Sequence, residues 1–280
     1  MKLKLDAIVH QHLDDWRLMI GQERMYMMQG PTITIYIGGK PAVTTWKRAA
    51  MAVSRTLNGH FTANPESTRF DFAPGDLTRK AVYTLLRDWL QKTGKEFEAH
   101  EVLLHNQHDI AQAREDVTIN DFELDMAVLW AARVLGMEKY TDVITQYYLN
   151  YIRTGMPHHM EIACVEEMRA SPENPLWTTM INRLTYLRHT NQIKDPKKFS
   201  IFLKKHPILA NCIESADLHF RCRAASNGWD YDEQVHQEDH STTGPGGDYM
   251  TAHKGEISAE EAVMMWIESP DPVLVLYQAL

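Results

Sequence analysis

The first thirty residues of the chain carry an amphipathic pattern. Apolar residues recur at three- and four-residue steps with polar residues between them, which is the period of a helix with one apolar face. Gly30 and Pro31 end the pattern, because glycine and proline both interrupt helices. We therefore predict an amphipathic helix over residues 1–30, whose apolar stripe comprises Leu5, Ile8, Val9, Leu13, Trp16, Met19 and Ile20.

A two-residue period follows this helix. Threonine and isoleucine alternate over 32–37, and such β-branched alternation favours a half-buried strand. Gly38 and Gly39 separate it from a second extended run that reaches Thr45, and paired glycines accept the positive φ angles of a tight hairpin turn. The pattern then predicts helices over 46–53 and 55–61 and a short strand over 69–72.

The middle of the chain returns to helical periods. Asp76 is a suitable N-cap for a helix that ends at Gly94, where a glycine would provide a left-handed C-cap. The polar stretch 95–118 predicts a long surface loop. Asp121 then caps a helix that Gly136 ends, and a further apolar stripe follows, formed by Tyr140, Val143, Ile144, Tyr147 and Tyr151.

The remaining sequence predicts further helices and a flexible segment. Asp195 caps one helix, because Pro196 behind it suits a first helical turn. Residues 226–256 are rich in Gly, Asp, His, Ser and Thr, which is typical of a flexible linker. Ser258 and Glu261 form a capping box that opens a C-terminal helix. Another helix, ahead of Asp195, is marked by Trp177, Met180, Ile181, Leu184 and Leu187.

These elements predict an α+β protein, in which a helical cluster with a small β-sheet is followed by a mostly α-helical C-terminal extension. The predicted organisation is an N-terminal amphipathic helix over 1–30, a mixed domain over 31–154, a helical extension over 155–225, a flexible linker over 226–256, and a C-terminal helix with an apolar tail over 257–280.

Composition narrows the function classes. The 280 residues carry a formal net charge of −8, which argues against direct binding of nucleic acid, because phosphate backbones select clustered Lys and Arg. The lysines of one predicted helix, Lys197, Lys198, Lys204 and Lys205, are interpreted as a solvated face. Neither a signal peptide nor a membrane-spanning run is present, and three cysteines suit a reducing compartment, so we expect a cytoplasmic or nuclear protein without membrane association.

The sequence offers little chemistry. His236 and His240 lie four residues apart, a spacing that could hold zinc on a helix, but they lack the HExxH order and fall in the predicted linker. Cys164, Cys212 and Cys222 form no CxxC pair, and we expect Cys164 to be a small buried hydrophobe. We predict no catalytic residue, no metal site and no cofactor.

The order of elements from Thr32 to about Arg153 resembles the BTB/POZ domain, particularly its divergent fungal versions. That family has a strand pair, a helix that begins His-Lys, a serine, an aromatic residue, a third strand, a leucine-rich helix ending in Thr-Gly, and a later helix before Leu-Gly-Met. Trp46 replaces the usual histidine, and Ala49 and Ala50 replace paired leucines. The positions that correspond to the family motif in this sequence are Trp46, Lys47, Ser54, Phe61, Trp89, Gly94 and Gly136.

The resemblance implies a non-enzymatic protein–protein interaction module, acting by self-association as a dimer or larger or by recruiting a partner. One alternative is a substrate adaptor of a cullin-type ubiquitin ligase, with a cullin as its partner. Another is an unrecognised histidine-dependent metal enzyme. Apolar, methionine-containing helix faces adapt to varied partners, and the predicted partner-binding residues are Trp16, Met19, Ile20, Met25, Tyr26, Met28 and Trp266. Packing of the N-terminal stripe within the chain is the competing interpretation.

Overall fold

A computed structural model describes residues 15–96, 98–104, 119–168 and 174–226. The chain divides into two compact units, Met1–Tyr151 with Met160–Met168, and Ile152–His159 with Arg169–Leu280. The described residues are mixed α+β, as the sequence predicts.

The sheet of the first unit contains β1 (Thr32–Ile37), β2 (Lys40–Trp46) and β3 (Arg69–Phe72) in the order β2-β1-β3. β1 pairs antiparallel with β2 and parallel with β3. Gly38 and Gly39 take φ angles of 57° and 74°, which confirms the predicted hairpin turn. Alternate residues of β1 are buried, namely Ile33, Ile35 and Ile37.

Helices pack around this sheet. The helix pair α2 (Lys47–Val53) and α3 (Arg55–Ala63) follows the hairpin, and β3 follows the pair. Beyond β3, α4 (Arg79–Tyr83) and α5 (Leu90–Lys95) are joined by a π-helical segment, Thr84–Trp89, so the predicted single helix is present with a local widening. The remaining elements of this region are α6 (Ile119–Leu135), a 3₁₀ turn (Glu138–Tyr140), α7 (Asp142–Thr154) and α8 (His159–Glu167), the last two of which cross the boundary between the units.

The N-terminal prediction is wrong in its described part. Residues 15–20 form a turn, and the helix α1 extends only over Gly21–Met27. The Asp15 carboxylate accepts a hydrogen bond from the Arg17 N–H at 3.0 Å, and such a local bond competes with helix formation. The Glu23 carboxylate accepts from the Ile20 N–H at 3.1 Å, which fixes the start of α1. Residues 1–14 lie outside the described residues.

Two predicted helix starts are displaced, the first by two residues and the second by three. Thr78, not Asp76, caps α4, and its hydroxyl accepts from the Ala81 N–H at 3.3 Å. Asp121 lies in the first turn of α6, which begins at Ile119. Thr and Asp both serve as N-caps and acidic residues also favour a first turn, so composition alone does not separate these positions.

The segment 95–118, predicted as a surface loop, is partly packed. Residues 98–104 have no regular secondary structure. Val102 is nevertheless buried, and its N–H donates to the Tyr140 carbonyl at 2.8 Å. Residues 105–118 lie outside the described residues.

In the second unit, α9 (Pro175–His189) packs against α11 (Pro207–Ser226), and α10 (Pro196–Lys205) precedes α11. The five apolar residues that the sequence predicts for α9 are all buried. The Asp195 carboxylate accepts from the Lys198 N–H at 2.9 Å, which confirms the predicted cap of α10. The predicted linker beyond Ser226 and the C-terminal helix, with Trp266, lie outside the described residues.

Candidate protein-interaction surface

Trp16 anchors the N-terminal segment in the core of the first unit. It is 0% exposed. Its indole N–H donates to the Thr93 hydroxyl at 2.9 Å, and that hydroxyl donates to the Trp89 carbonyl at 2.8 Å. Its backbone N–H donates to the Tyr140 hydroxyl at 3.0 Å, and burial raises the pKa of Tyr140, so this phenol stays neutral. Both N–H donors of Trp16 are therefore satisfied inside the protein.

Arg24 caps the end of α5 from within the core. Its side chain is buried, although arginine is rarely buried unless its donors have partners. Nε donates to the Thr93 carbonyl at 3.0 Å, Nη2 donates to the Glu96 carbonyl at 2.8 Å, and Nη1 donates to the Met19 carbonyl. The last carbonyls of a helix carry partial negative charge and have no partner in the helix. The Arg24 guanidinium supplies both the charge and the hydrogen bonds at this helix end.

Gly94 allows the N-terminal segment to approach α5 closely. The sequence predicts a left-handed C-cap at Gly94, but the residue lies inside α5 and is not among the glycines with positive φ. A Cβ atom built on Gly94 would overlap the Met28 sulfur. Glycine at this position therefore leaves room for the Met28 thioether and does not mark a helix end.

A cluster of charged side chains holds the beginning of the N-terminal segment, at residues 15–17, against the rest of the first unit. The Arg17 guanidinium bonds the Asp15 carboxylate at 2.7 Å and also contacts the Glu101 carboxylate, which in turn accepts from the Val143 N–H at 2.9 Å. Burial on its own would raise the pKa of Asp15, but the hydrogen bonds and positive charge of Arg17 outweigh it and hold that pKa below 3.8. The segment is thus tied to residues before and after α6.

Three apolar side chains of this anchored segment face outward: Leu18, Ile20 and Met25 are 82%, 61% and 53% exposed. We call these three residues the N-terminal face. Beside it, the Arg48 guanidinium lies 5.1 Å from the centre of the Tyr26 ring, a cation–π distance. A backbone fixed by buried bonds therefore displays large apolar side chains to solvent.

The structure divides the predicted partner-binding residues between the core and the surface. Trp16 and Met19 are buried and are used within the chain, as the competing interpretation holds. Ile20 and Met25 remain available for contact with another molecule. Sequence reasoning omitted Leu18, the most exposed large apolar side chain within the described ranges. The other described members of the predicted set are the half-buried Tyr26 and Met28.

Ser54 joins two motif positions that are far apart in sequence. Its hydroxyl accepts from the Leu57 N–H at 3.1 Å, as a cap of α3, and donates to the Leu135 carbonyl at 2.6 Å, at the end of α6. The Thr56 hydroxyl donates to the Val134 carbonyl at 2.7 Å. Ser54 therefore has a structural role, both as the N-cap of α3 and as the link to the end of α6.

Gly136 lies directly after Leu135, the last residue of α6. Its φ of 68° confirms the predicted helix end, and a Cβ at this position would lie 2.8 Å from the Cβ of Arg55. Glycine is needed here both for the backbone angle and for the contact.

The remaining motif positions also pack or bond within the first unit. The Arg87 guanidinium lies 4.9 Å from the centre of the Trp46 ring. The Lys47 ammonium donates to the Ser67 carbonyl at 2.8 Å and lies 4.9 Å from the centre of the buried Phe61 ring. The buried Trp89 indole donates to the carbonyl of His100 at 2.9 Å. These side chains build the fold and show no arrangement for catalysis.

The surroundings of Cys164 make its thiol a poor nucleophile. Burial, followed by the negative charges of Glu123, Glu167 and Glu161, raises the pKa of the Cys164 thiol from 9.0 to about 12. At pH 8 such a thiol holds about a thousandfold less of the reactive thiolate. We expect iodoacetamide to leave Cys164 unmodified in the folded protein while the exposed Cys222 reacts, as measured by peptide mass spectrometry.

Labelling in urea is the control for this prediction, because both thiols are then solvated and both are modified. Equal labelling of Cys164 and Cys222 in the folded protein would contradict the raised pKa.

Comparison of the chain with protein-family models, with curated proteins and with solved structures finds no match. Over the described residues, no helix is long and apolar enough to span a membrane. In those same ranges no three His, Cys, Asp or Glu side chains are placed to hold a metal ion. The proposed pair His236 and His240 lies outside them.

Proposed function

We propose that residues 31–154 form a BTB/POZ-like domain and that the protein acts without catalysis, by associating with itself through the N-terminal face. The order hairpin, helix pair, third strand, helix and later helices supports the first part of this proposal, because the resemblance implies that order. The hydrogen bond between Ser54 and Leu135 supports it further, since it connects the serine of the family pattern with the Leu-Gly-Met sequence at the end of α6. The free thiols of all three cysteines support a reducing compartment, and so a cytoplasmic or nuclear location.

The exposure of Leu18, Ile20 and Met25 is the observation that carries the functional part. The buried hydrogen bonds of Trp16 and Arg24 hold the backbone that carries these three side chains in one conformation. The N-terminal face is therefore preformed, unlike apolar side chains on a flexible terminus. A preorganised apolar surface loses little conformational entropy on association. The unbranched side chain of Met25 also adapts to the surface that it meets.

Size-exclusion chromatography with light scattering tests this proposal. We expect the wild-type protein to be a dimer or larger at micromolar concentration. Ile20→Asp together with Met25→Asp would place two charges in the contact and yield a monomer with unchanged circular dichroism. The control is Leu218→Asp, an equally drastic change at a side chain of the second unit that is 63% exposed. A monomeric wild type, or an equal effect of Leu218→Asp, would refute self-association through this face.

A further inference from the structure

The helix α10 presents an exposed face in which one apolar residue is surrounded by basic ones. Ile201 is 57% exposed. Residues three and four positions away are its neighbours on a helical surface. All four such positions around Ile201 are lysines, and we call these five residues the lysine face: Lys197, Lys198, Ile201, Lys204 and Lys205.

The opposite side of α10 fixes how the lysine face is presented. Phe199 is buried. The Phe202 ring is stacked between two imidazoles, with ring centres 4.4 Å from His159 and 4.1 Å from His206. The Asp195 cap holds the first turn. The lysine face is thus the outer surface of a well-anchored helix.

The charge of this face is unusual for the chain. Lys198 bonds the Asp195 carboxylate at 3.2 Å, an exposed pair that contributes little stability. Lysines this close on one helix repel one another, although the whole chain has a net charge of −8. An anionic ligand would relieve that repulsion. Ile201, at the centre, additionally requires an apolar group from the ligand, which selects an acidic peptide with apolar side chains over a bare phosphate backbone.

We propose that the lysine face binds the acidic segment 229–239 of this same chain. This segment contains no Lys or Arg. Its far end supplies the apolar side chain of Val235 for Ile201 and the carboxylates of Glu238 and Asp239 for the lysines. The proposal does not depend on the BTB-like function, because it concerns only the second unit.

The chain beyond α11 is long enough for the end of the acidic segment to reach the lysine face on α10. The helix α11 begins immediately after α10 and contains 20 residues, so its far end lies about 30 Å along its axis. Asp239 lies thirteen residues beyond Ser226 and reaches about 43–47 Å from it when extended, and Val235 lies nine residues beyond and reaches about 30–32 Å. The end of the segment, from Val235 onward, can therefore return along the whole of α11. A tether of this length gives an effective concentration on the order of millimolar, which makes a weak electrostatic contact sufficient.

Zero-length carbodiimide cross-linking of the full chain tests this inference, because it joins a lysine to a carboxylate only where the two touch. We expect isopeptide bonds between the lysine face and the carboxylates of Glu238 and Asp239, identified by mass spectrometry. Their yield should fall about tenfold at about 1 M salt, where the Debye length is about 3 Å, and also in Ile201→Asp, which keeps the four lysines but places a negative charge at the centre of the face. Leu218→Asp, the same kind of change at a side chain of the second unit that is 63% exposed, is the matched control and should leave the yield unchanged.

Mixing isotope-labelled and unlabelled chains separates the possible occupants. Cross-links within one isotope only support binding in the same chain, whereas mixed cross-links show that a second copy occupies the face and overturn the proposal. Absence of these cross-links also overturns it, as does an unchanged yield at about 1 M salt or in Ile201→Asp. If no cross-links form, and replacing the four lysines by glutamine abolishes sedimentation of the wild-type protein with vesicles of anionic lipid, a membrane surface is the ligand and the proposal fails.

Discussion

Trp16→Ala should lower the free energy of unfolding of the first unit by about 3–5 kcal/mol, the usual cost of removing a large buried aromatic side chain. The change leaves a cavity where a 0% exposed side chain lies and removes the indole hydrogen bond to Thr93. Urea denaturation followed by circular dichroism measures this cost. Hydrogen exchange of residues 21–28 should show lost protection of α1 at the same time.

Leu18→Ala is the matched control for Trp16→Ala. Leu18 lies two residues away and is 82% exposed, so its truncation should change stability by no more than about 0.5 kcal/mol when the variants are compared in the monomeric Ile20→Asp, Met25→Asp background, in which the N-terminal face contacts no second copy. Trp16→Phe should fall between the two, because it keeps most of the apolar area and loses the indole donor. If Trp16→Ala and Leu18→Ala have equal effects, the N-terminal segment is not part of the core.

Arg24→Met should destabilise the first unit by about 3 kcal/mol. Methionine keeps the apolar stem but leaves the carbonyls of Met19, Thr93 and Glu96 without their charged donor. The measurement is again the urea midpoint, combined with hydrogen exchange at the end of α5. The helix end itself should fray, because its partial negative charge loses its counter-charge.

Arg24→Lys separates charge from geometry. An ammonium retains the charge but cannot reproduce the planar fork that reaches three carbonyls, so we expect a partial loss. Lys92→Met removes an exposed charge from α5 and should have little effect. A neutral Arg24→Met would contradict the role of Arg24 as a helix cap.

The features that the sequence predicts correctly depend on neighbouring residues. Gly38 and Gly39 form a hairpin because two glycines accept positive φ between two β-branched runs. Asp195 caps α10 because its carboxylate needs only an amide three residues away. Gly136 ends α6 for an equally local reason. Such interactions can be predicted without knowing what the rest of the chain does.

The N-terminal segment could not be predicted in the same way. Its helical period extended through Trp16, but the Asp15–Arg17 bond turns the backbone there and changes which side chains point inward. Arg24 in the core depends on carbonyls about seventy residues later, and nothing near it in sequence indicates them. Gly94 is a good C-cap by residue type, yet it serves the distant Met28. Long-range contacts override local preference at each of these positions.

The bond between Trp16 and Tyr140 has a consequence for synthesis of the chain on the ribosome. The two residues are 124 positions apart. At about 5–20 residues per second, the acceptor of Trp16 is made about 6–25 s after Trp16 itself. During that interval the N-terminal apolar side chains have emerged without the core that will cover them. The segment around Trp16 therefore cannot complete its packing until Tyr140 has been made, and until then its apolar side chains are open to chaperones that bind apolar segments of nascent chains.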